Sequence, residues 1–266
     1  MEISVIIPTY KPGEYIYKCL ESLKNQSLNV DKFEVIIVLN GERIPFEENI
    51  CIFVEKNLIE LNVVLLHTFV TGVSNARNIA IDTSKGNYIT FLDDDDYISE
   101  NYLENLLSCA ASNIVSVSNL KTFDEQNNFE KDYISECFDN HYLKKDFSIF
   151  SCRSFYSSVC GKLISKNIIR NSRYNTKRSL GEDSLFMFEI SRFIERTKLA
   201  APDTYYYRRI REGSVSRAKR PLFDRIIKDV IELNFLYFKI FITDILNYNF
   251  LFFVSRQVSS IINVFK

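Results

Sequence analysis

Four consecutive aspartates, Asp93–Asp96, stand in the segment FLDDDDY, directly after the apolar run Tyr88–Leu92. Four like charges in a row repel one another, and a nearby cation relieves that repulsion. Hard divalent cations such as Mn²⁺ and Mg²⁺ prefer carboxylate oxygens and often bind through one or two carboxylates plus substrate phosphates. The plainer reading is a solvated acidic turn, but the buried strand expected just before the cluster weighs against it. A second acidic pair, Glu182-Asp183, opens the segment GEDSLFMFEISRFI, where the N-terminal end of a helix favours negative charge. Carboxylates that serve as general bases need only hydrogen-bond reach to the proton they take. Arg77, in SNARN, and Arg208, in TYYYRR, are the cations whose planar guanidinium suits carboxylate or phosphate. Each also has a plain alternative, a helix-surface ion pair for Arg77 and an ordinary surface arginine for Arg208.

These residues need elements to position them. Ile3–Ile7, Phe33–Leu39, Val63–Leu66, Tyr88–Leu92 and Ile114–Ser118 are short continuous apolar runs, the pattern of strands buried on both faces. Between them lie helical patterns. Ile16, Cys19, Leu20 and Leu23 form one stripe, a helical stretch precedes Leu61, and Ser74 is a candidate cap for a helix over Ala76–Ile81. Alternating strands and helices imply an α/β fold with a mostly parallel sheet flanked by helices. Ligands of such sheets collect at the carboxyl ends of the strands. That rule gathers Pro8-Thr9-Tyr10, Asn40-Gly41, the segment leading to Arg77, and Asp93–Asp96 into one crevice.

Composition bounds the rest. The 266 residues suffice for one large domain with an appendage, and 33 basic against 34 acidic residues leave no basic excess, so no nucleic-acid partner is expected. Six scattered cysteines without a C-x-x-C pair, and only two histidines, argue against structural zinc and for reduced core thiols. The start MEISVIIPTY lacks the features of a signal peptide, and a cytoplasmic location is expected. After Pro221 the chain turns Phe- and Ile-rich. Phe223, Ile227, Val230, Ile231, Phe235 and Phe238 recur at helical spacing, but no run approaches the roughly 18 apolar residues of a membrane span. Such an amphipathic tail suits a membrane surface, with Lys239, Arg256 and Lys266 beside it, or packing on the main domain or on a second subunit.

The motifs SVIIPTY, GVSNARNIAI, GNYITFLDDDDY, GEDSLF and YYYRRIREGSVS occur in the order found in family 2 glycosyltransferases, and residues 1–218 resemble that family. The resemblance implies a GT-A fold for 1–218, with a nucleotide-sugar half over about 1–120 and an acceptor half over about 121–218, followed by the helical tail 219–266. It implies inverting transfer from a nucleoside-diphosphate sugar, and it distributes the roles. Thr9, Tyr10, Arg77 and Asp93 bind the nucleotide sugar, Asp95 holds Mn²⁺ or Mg²⁺, and Asp96 faces the acceptor. Asp183 is the base, assisted by Glu182, while Arg208 meets the diphosphate and Gly213-Ser214 forms a hinge. Asn40 departs from the pattern, because it stands where the family has a base-recognising aspartate. An amide still donates and accepts hydrogen bonds, so uracil recognition and a simple turn both remain open. Enzymes of this type build O-antigen or capsule repeats. The resemblance therefore implies a UDP-glucose or UDP-galactose donor, an acceptor such as N-acetylglucosamine on undecaprenyl diphosphate, a β bond (β-1,3 by family habit) and a peripheral place on the cytoplasmic face of the inner membrane. Two other readings compete. A nucleotidyltransferase would need a Gly-rich basic loop that PTYKPGEY lacks, and a non-catalytic sugar-binding module would not need Asp93, Asp95 and Asp183 together.

Overall fold

A computed structural model describes residues 1–144, 147–210 and 221–264. Gly213, Ser214 and Lys266 lie outside the described residues. The first half alternates as the apolar runs require. β1 (Ile3–Thr9), α1 (Tyr15–Lys24), β2 (Phe33–Asn40), α2 (Phe46–Asn57), β3 (Asn62–Thr68), α3 (Val73–Thr83) and β4 (Tyr88–Phe91) follow one another. β1 and β2 are buried at every position, which accounts for sequences with no polar alternation. Then come β5 (Tyr97–Ile98), α4 (Tyr102–Ser108), β6 (Ile114–Val117), β7 (Asn119–Phe123), β8 (Phe129–Glu130) and α5 (Tyr133–Lys144). β9 (Lys162–Ser165), α6 (Lys166–Ile169), α7 (Glu182–Ile190), β10 (Arg196–Leu199) and β11 (Tyr205–Arg209) complete the main body.

The principal sheet has the order β10-β6-β9-β4-β1-β2-β3. All its pairings are parallel except those of β9, which runs antiparallel between β4 and β6. The carboxyl ends of β1, β2, β3 and β4 therefore share one edge, and the polar residues after them meet there. At the opposite edge the buried Glu34 carboxylate accepts from Ser4 Oγ (2.6 Å), Lys85 N (2.6 Å) and Gly86 N (3.3 Å). Gly86 is required there, since a Cβ would lie 2.6 Å from backbone atoms of Ile3 and Ser4. A second sheet, β5-β11-β7-β8, stands beside the aspartate turn. The α3 helix begins two residues earlier than a Ser74 cap would allow. Gly72, at φ 126°, precedes it, and Ser74 Oγ is buried in the first turn without a hydrogen-bond partner.

The tail forms two helices rather than one. α8 (Leu222–Arg225) continues through a π-helical segment (Ile226–Glu232) into α9 (Leu233–Thr243), and α10 (Phe250–Val264) packs back along it. Arg225 Nη2 reaches Asn263 O, and Asn234 bonds Gln257 and Ser260, so the pair is an antiparallel hairpin. It lies against α7, whose consecutive residues Leu185, Phe186, Met187 and Phe188 are all buried, so that the helix is covered on more than one side. Phe188 of α7 meets the rings of Tyr237, Tyr248, Phe252 and Phe253, and Tyr237 Oη donates to Ser184.

Candidate active site

At the carboxyl edge of the sheet one guanidinium organises the acids. Arg77 sits on α3 with its side chain 4 % exposed. Its Nη2 donates to Asp93 Oδ1 (2.9 Å) and its Nη1 to Asp183 Oδ1 (2.6 Å), with Glu182 Oε1 3.9 Å from the same nitrogen. Helix α3 carries the arginine, the turn after β4 carries Asp93, and the first turn of α7 carries Glu182 and Asp183. Three separate stretches of chain thus converge on one cation. Arg77 was expected to touch the nucleotide, but both its terminal nitrogens are occupied by carboxylates. It is therefore placed as the link between the acids.

The four aspartates divide sharply. Asp93 is the open one, 39 % exposed, and its second oxygen accepts the Cys160 thiol at 3.5 Å. Asp94 is buried and accepts from Thr9 Oγ1 at 2.5 Å, so the cluster is anchored to the end of β1. Asp95 is half-buried, and its carbonyl accepts from Arg209 Nε. Asp96, expected on the acceptor side, has internal partners. It is buried, with Oδ2 accepting from Tyr206 Oη (2.6 Å) and Oδ1 from Arg209 N (2.7 Å). Both its oxygens are thus used to tie the aspartate turn to β11. Tyr206 closes the knot by accepting from the Asp93 backbone N–H at 3.1 Å.

Other expected residues also have internal duties. The hydroxyl of Thr9 is spent on Asp94. Asn40 is buried at the end of β2. Its amide donates to Thr9 O (2.7 Å) and accepts from Gly72 N (2.9 Å), which brackets β1, β2 and the start of α3. Tyr10 is half exposed and its ring lies over Gly41, where a Cβ would meet it at 2.8 Å. Arg208 Nη2 is held by Asp132 in an ion pair, which leaves the guanidinium partly committed.

Electrostatics mark the acids as proton-accepting groups. Burial, then Asp183, pushes the Glu182 carboxyl up to about 7, against the pull of Arg77. Burial raises Asp183 as well, opposed first by Arg77, and its Oδ2 has only long contacts to Val159 N (3.3 Å) and Ser158 Oγ (3.4 Å). Burial followed by Asp95 and Asp93 holds Asp96 well above the usual carboxylate range. Three neighbours escaped sequence reasoning. Lys162 is buried on β9, donates to Cys160 O at 2.9 Å, and is lowered by burial to about 8. Cys160 packs its thiol on Asp93, and Val159 offers its N–H to Asp183. A lone buried lysine in CGKLIS was the available signal.

Among the described residues, no group of three or more His, Cys, Asp or Glu side chains is arranged to hold a metal ion. The donor chemistry nevertheless fits a hard cation. Asp93 and Asp95 are oxygen donors whose charges destabilise the ionised form of Asp96, and such ions take one or two carboxylates with substrate phosphates completing the shell.

The model for Glycosyl transferase family 2 matches residues 4–183. The chain belongs to glycosyltransferase family 2. The relatives of this family 2 chain include glycosyltransferase GlyA of Streptococcus pneumoniae, 28 % identical over 230 residues, which cover 81 % of the chain and 32 % of GlyA. EpsH of Bacillus subtilis, a putative glycosyltransferase by name, is 26 % identical over 232 residues, covering 84 % of the chain and 65 % of EpsH. The chain spans less than two thirds of the length of either relative. Among solved structures, Staphylococcus aureus TarS 1–349 in complex with UDP-GlcNAc superposes with a TM-score of 0.74 at 23 % identity, over 97 % of this chain and 73 % of that one. The mannosyltransferase PcManGT of Pyrobaculum calidifontis, solved with GDP-Man and Mn²⁺, gives 0.62 at 15 % identity, over 98 % of this chain and 74 % of that one. At these identities the likeness establishes the fold, GT-A, with its central mostly parallel sheet.

Proposed function

We propose that this protein is an inverting, metal-dependent hexosyltransferase. It moves glucose or galactose from UDP onto a lipid-linked sugar such as GlcNAc-diphosphoundecaprenol and forms a β bond, β-1,3 by family habit, in surface-polysaccharide synthesis. The observation that carries the reading is the Arg77 bridge, which holds a donor-side acid, Asp93, and a base-side acid, Asp183, on one guanidinium. A transferase needs both acids at one reacting centre, whereas a sugar-binding module has no use for the second.

In the reaction the acceptor hydroxyl attacks the anomeric carbon and gives its proton to Asp183 Oδ2, the oxygen with only long contacts. The new C–O bond forms as the bond from C1 to the β-phosphate oxygen breaks, and UDP leaves from the opposite face. Asp93, open to solvent, takes the ribose, and the exposed Tyr10 ring offers a face to the base. Asp95 would hold Mn²⁺ or Mg²⁺, which when bound supplies positive charge to the leaving diphosphate. Arg77 keeps the base ionised and aimed, while burial and the Asp93 charge raise its proton affinity, and Glu182 stands beside it to assist.

Support for a UDP donor comes from the TarS complexes with UDP and UDP-GlcNAc. A second acceptor is favoured by the names of two relatives. TarS is a poly(ribitol-phosphate) β-N-acetylglucosaminyltransferase, and a Bacillus spizizenii relative is a poly(ribitol-phosphate) β-glucosyltransferase. The phosphopolyol is therefore the alternative to a lipid-linked sugar. UDP release with each acceptor, with Mn²⁺ and with EDTA, tests the proposal. Asp183→Asn is expected to lose turnover by about 10²-fold or more while still binding UDP. Near-wild-type turnover of that variant, or donor binding with no turnover on any acceptor, would overturn it.

A further inference from the structure

The tail hairpin covers α7 with one face and leaves the other bare. On α9 and the π segment before it, Ile231, Phe235, Phe238 and Ile242 recur at helical spacing and are each more than half exposed. On α10, Leu251, Val254, Val258 and Ile261 form the matching stripe. The residues turned to the protein, Leu233, Tyr237 and Phe241 on one helix and Phe252, Arg256 and Ser260 on the other, lie on the opposite sides of both helices. The two stripes therefore share one outward face, extended by Phe223 at one end and by Leu246 and Phe250 at the hairpin tip. With each side chain near half exposed, the face comes to about 1,000 Å² of apolar surface, against roughly 300–600 Å² for the largest patch on a typical monomer.

We propose that this face docks onto an anionic lipid bilayer, lying in the interface with the hairpin parallel to the membrane. The stripes contain only Phe, Ile, Leu and Val, without the Tyr, Trp or Arg anchors and hydrogen-bonding groups that mark protein partners. Charge points the same way. The hairpin acids Glu232 and Asp244 are drawn to Arg178 (3.6 Å) and Arg192 (3.4 Å), and Asp224 and Asp229 are half-buried. Lys228 and Lys239 stay exposed on the flank. Arg256, counted from sequence as a basic residue of this face, is instead buried against the main domain, where it donates to Arg153 O. Among the described residues no helix is long and apolar enough to cross a membrane, so the contact is interfacial. The inference rests on the lipid-linked acceptor only for its purpose, which is to bring the crevice to the surface where that acceptor resides.

The test is flotation of the whole chain with vesicles of phosphatidylglycerol and phosphatidylethanolamine, and with phosphatidylcholine vesicles, without donor or acceptor. Wild type is expected to float with the anionic vesicles and to release as salt rises. Phe235→Glu with Val258→Glu should cut the bound fraction at least about tenfold with an unchanged far-UV spectrum and melting curve, because both side chains point to solvent. Lys228→Glu with Lys239→Glu should weaken binding to anionic vesicles only. Equal flotation of the Phe235/Val258 variant overturns the proposal, and so does a stable dimer of wild type that ignores vesicles and becomes monomeric in that variant. Vesicle binding without sugar transfer would leave the docking face standing and remove the transferase reading instead.

Discussion

Replacing Glu182 by glutamine tests the electrostatics of the site directly. The Glu182 side chain is 14 % exposed, sits beside Asp183, and has Arg77 only at 3.9 Å. Burial and the neighbouring acid raise its carboxyl from 4.5 to about 7. A carboxyl raised by folding contributes stability that is fully present below the unfolded value and is lost as pH rises through the folded one. At about 1.4 kcal/mol per pKa unit, the rise amounts to about 3 kcal/mol, which is an upper bound because the group is coupled to Asp183. Glutamine stays neutral throughout. The stability of Glu182→Gln relative to wild type should therefore climb by up to about 3 kcal/mol between pH 4.5 and 7, and then level off. Urea unfolding followed by circular dichroism at pH 5, 6, 7 and 8.5 measures it. A difference that is flat with pH, or that falls toward alkaline pH, would refute the account.

Further tests address the neighbours. Lys162→Met removes a cation that lowers Asp183, so the acid limb of the turnover–pH profile should move to higher pH. Tyr206→Phe deprives buried Asp96 of a donor and the Asp93 N–H of an acceptor, and should cost about 1–3 kcal/mol in denaturant unfolding. Asp95→Asn should abolish the Mn²⁺ dependence of UDP binding in calorimetry, while UDP binding without metal is retained.

The strands of the first half were legible because each is a continuous apolar run. β9 was not. Its four residues, Lys162–Ser165, carry a buried lysine, and their antiparallel insertion between β4 and β6 depends on partners distant in sequence. The same distance hid the fate of Asp96. Nothing in DDDDY distinguishes its last aspartate until Tyr206 and Arg209 arrive on β11 to fill both oxygens. Asn40 was read from its place after a strand, yet its burial between Thr9 and Gly72 is a matter of tertiary packing. The tail offered a clearer signal than spacing alone suggested. Leu185–Phe188 of α7 are four apolar residues in succession, which no single helix face can bury, so a further segment had to cover one side, and the hairpin is a strongly apolar later segment.

The shared guanidinium of Arg77 has a consequence for how changes at this centre combine. Removing Asp93 frees one arm of the cation, which can then settle wholly on Asp183 and Glu182. Removing Asp183 does the reverse for the donor side. Effects of groups that share a partner do not add. A thermodynamic cycle built from Asp93 and Asp183 variants should close with a sizeable interaction energy although the two acids do not bond each other. Base preference, by contrast, can drift at the crevice rim around Tyr10 without disturbing that cycle.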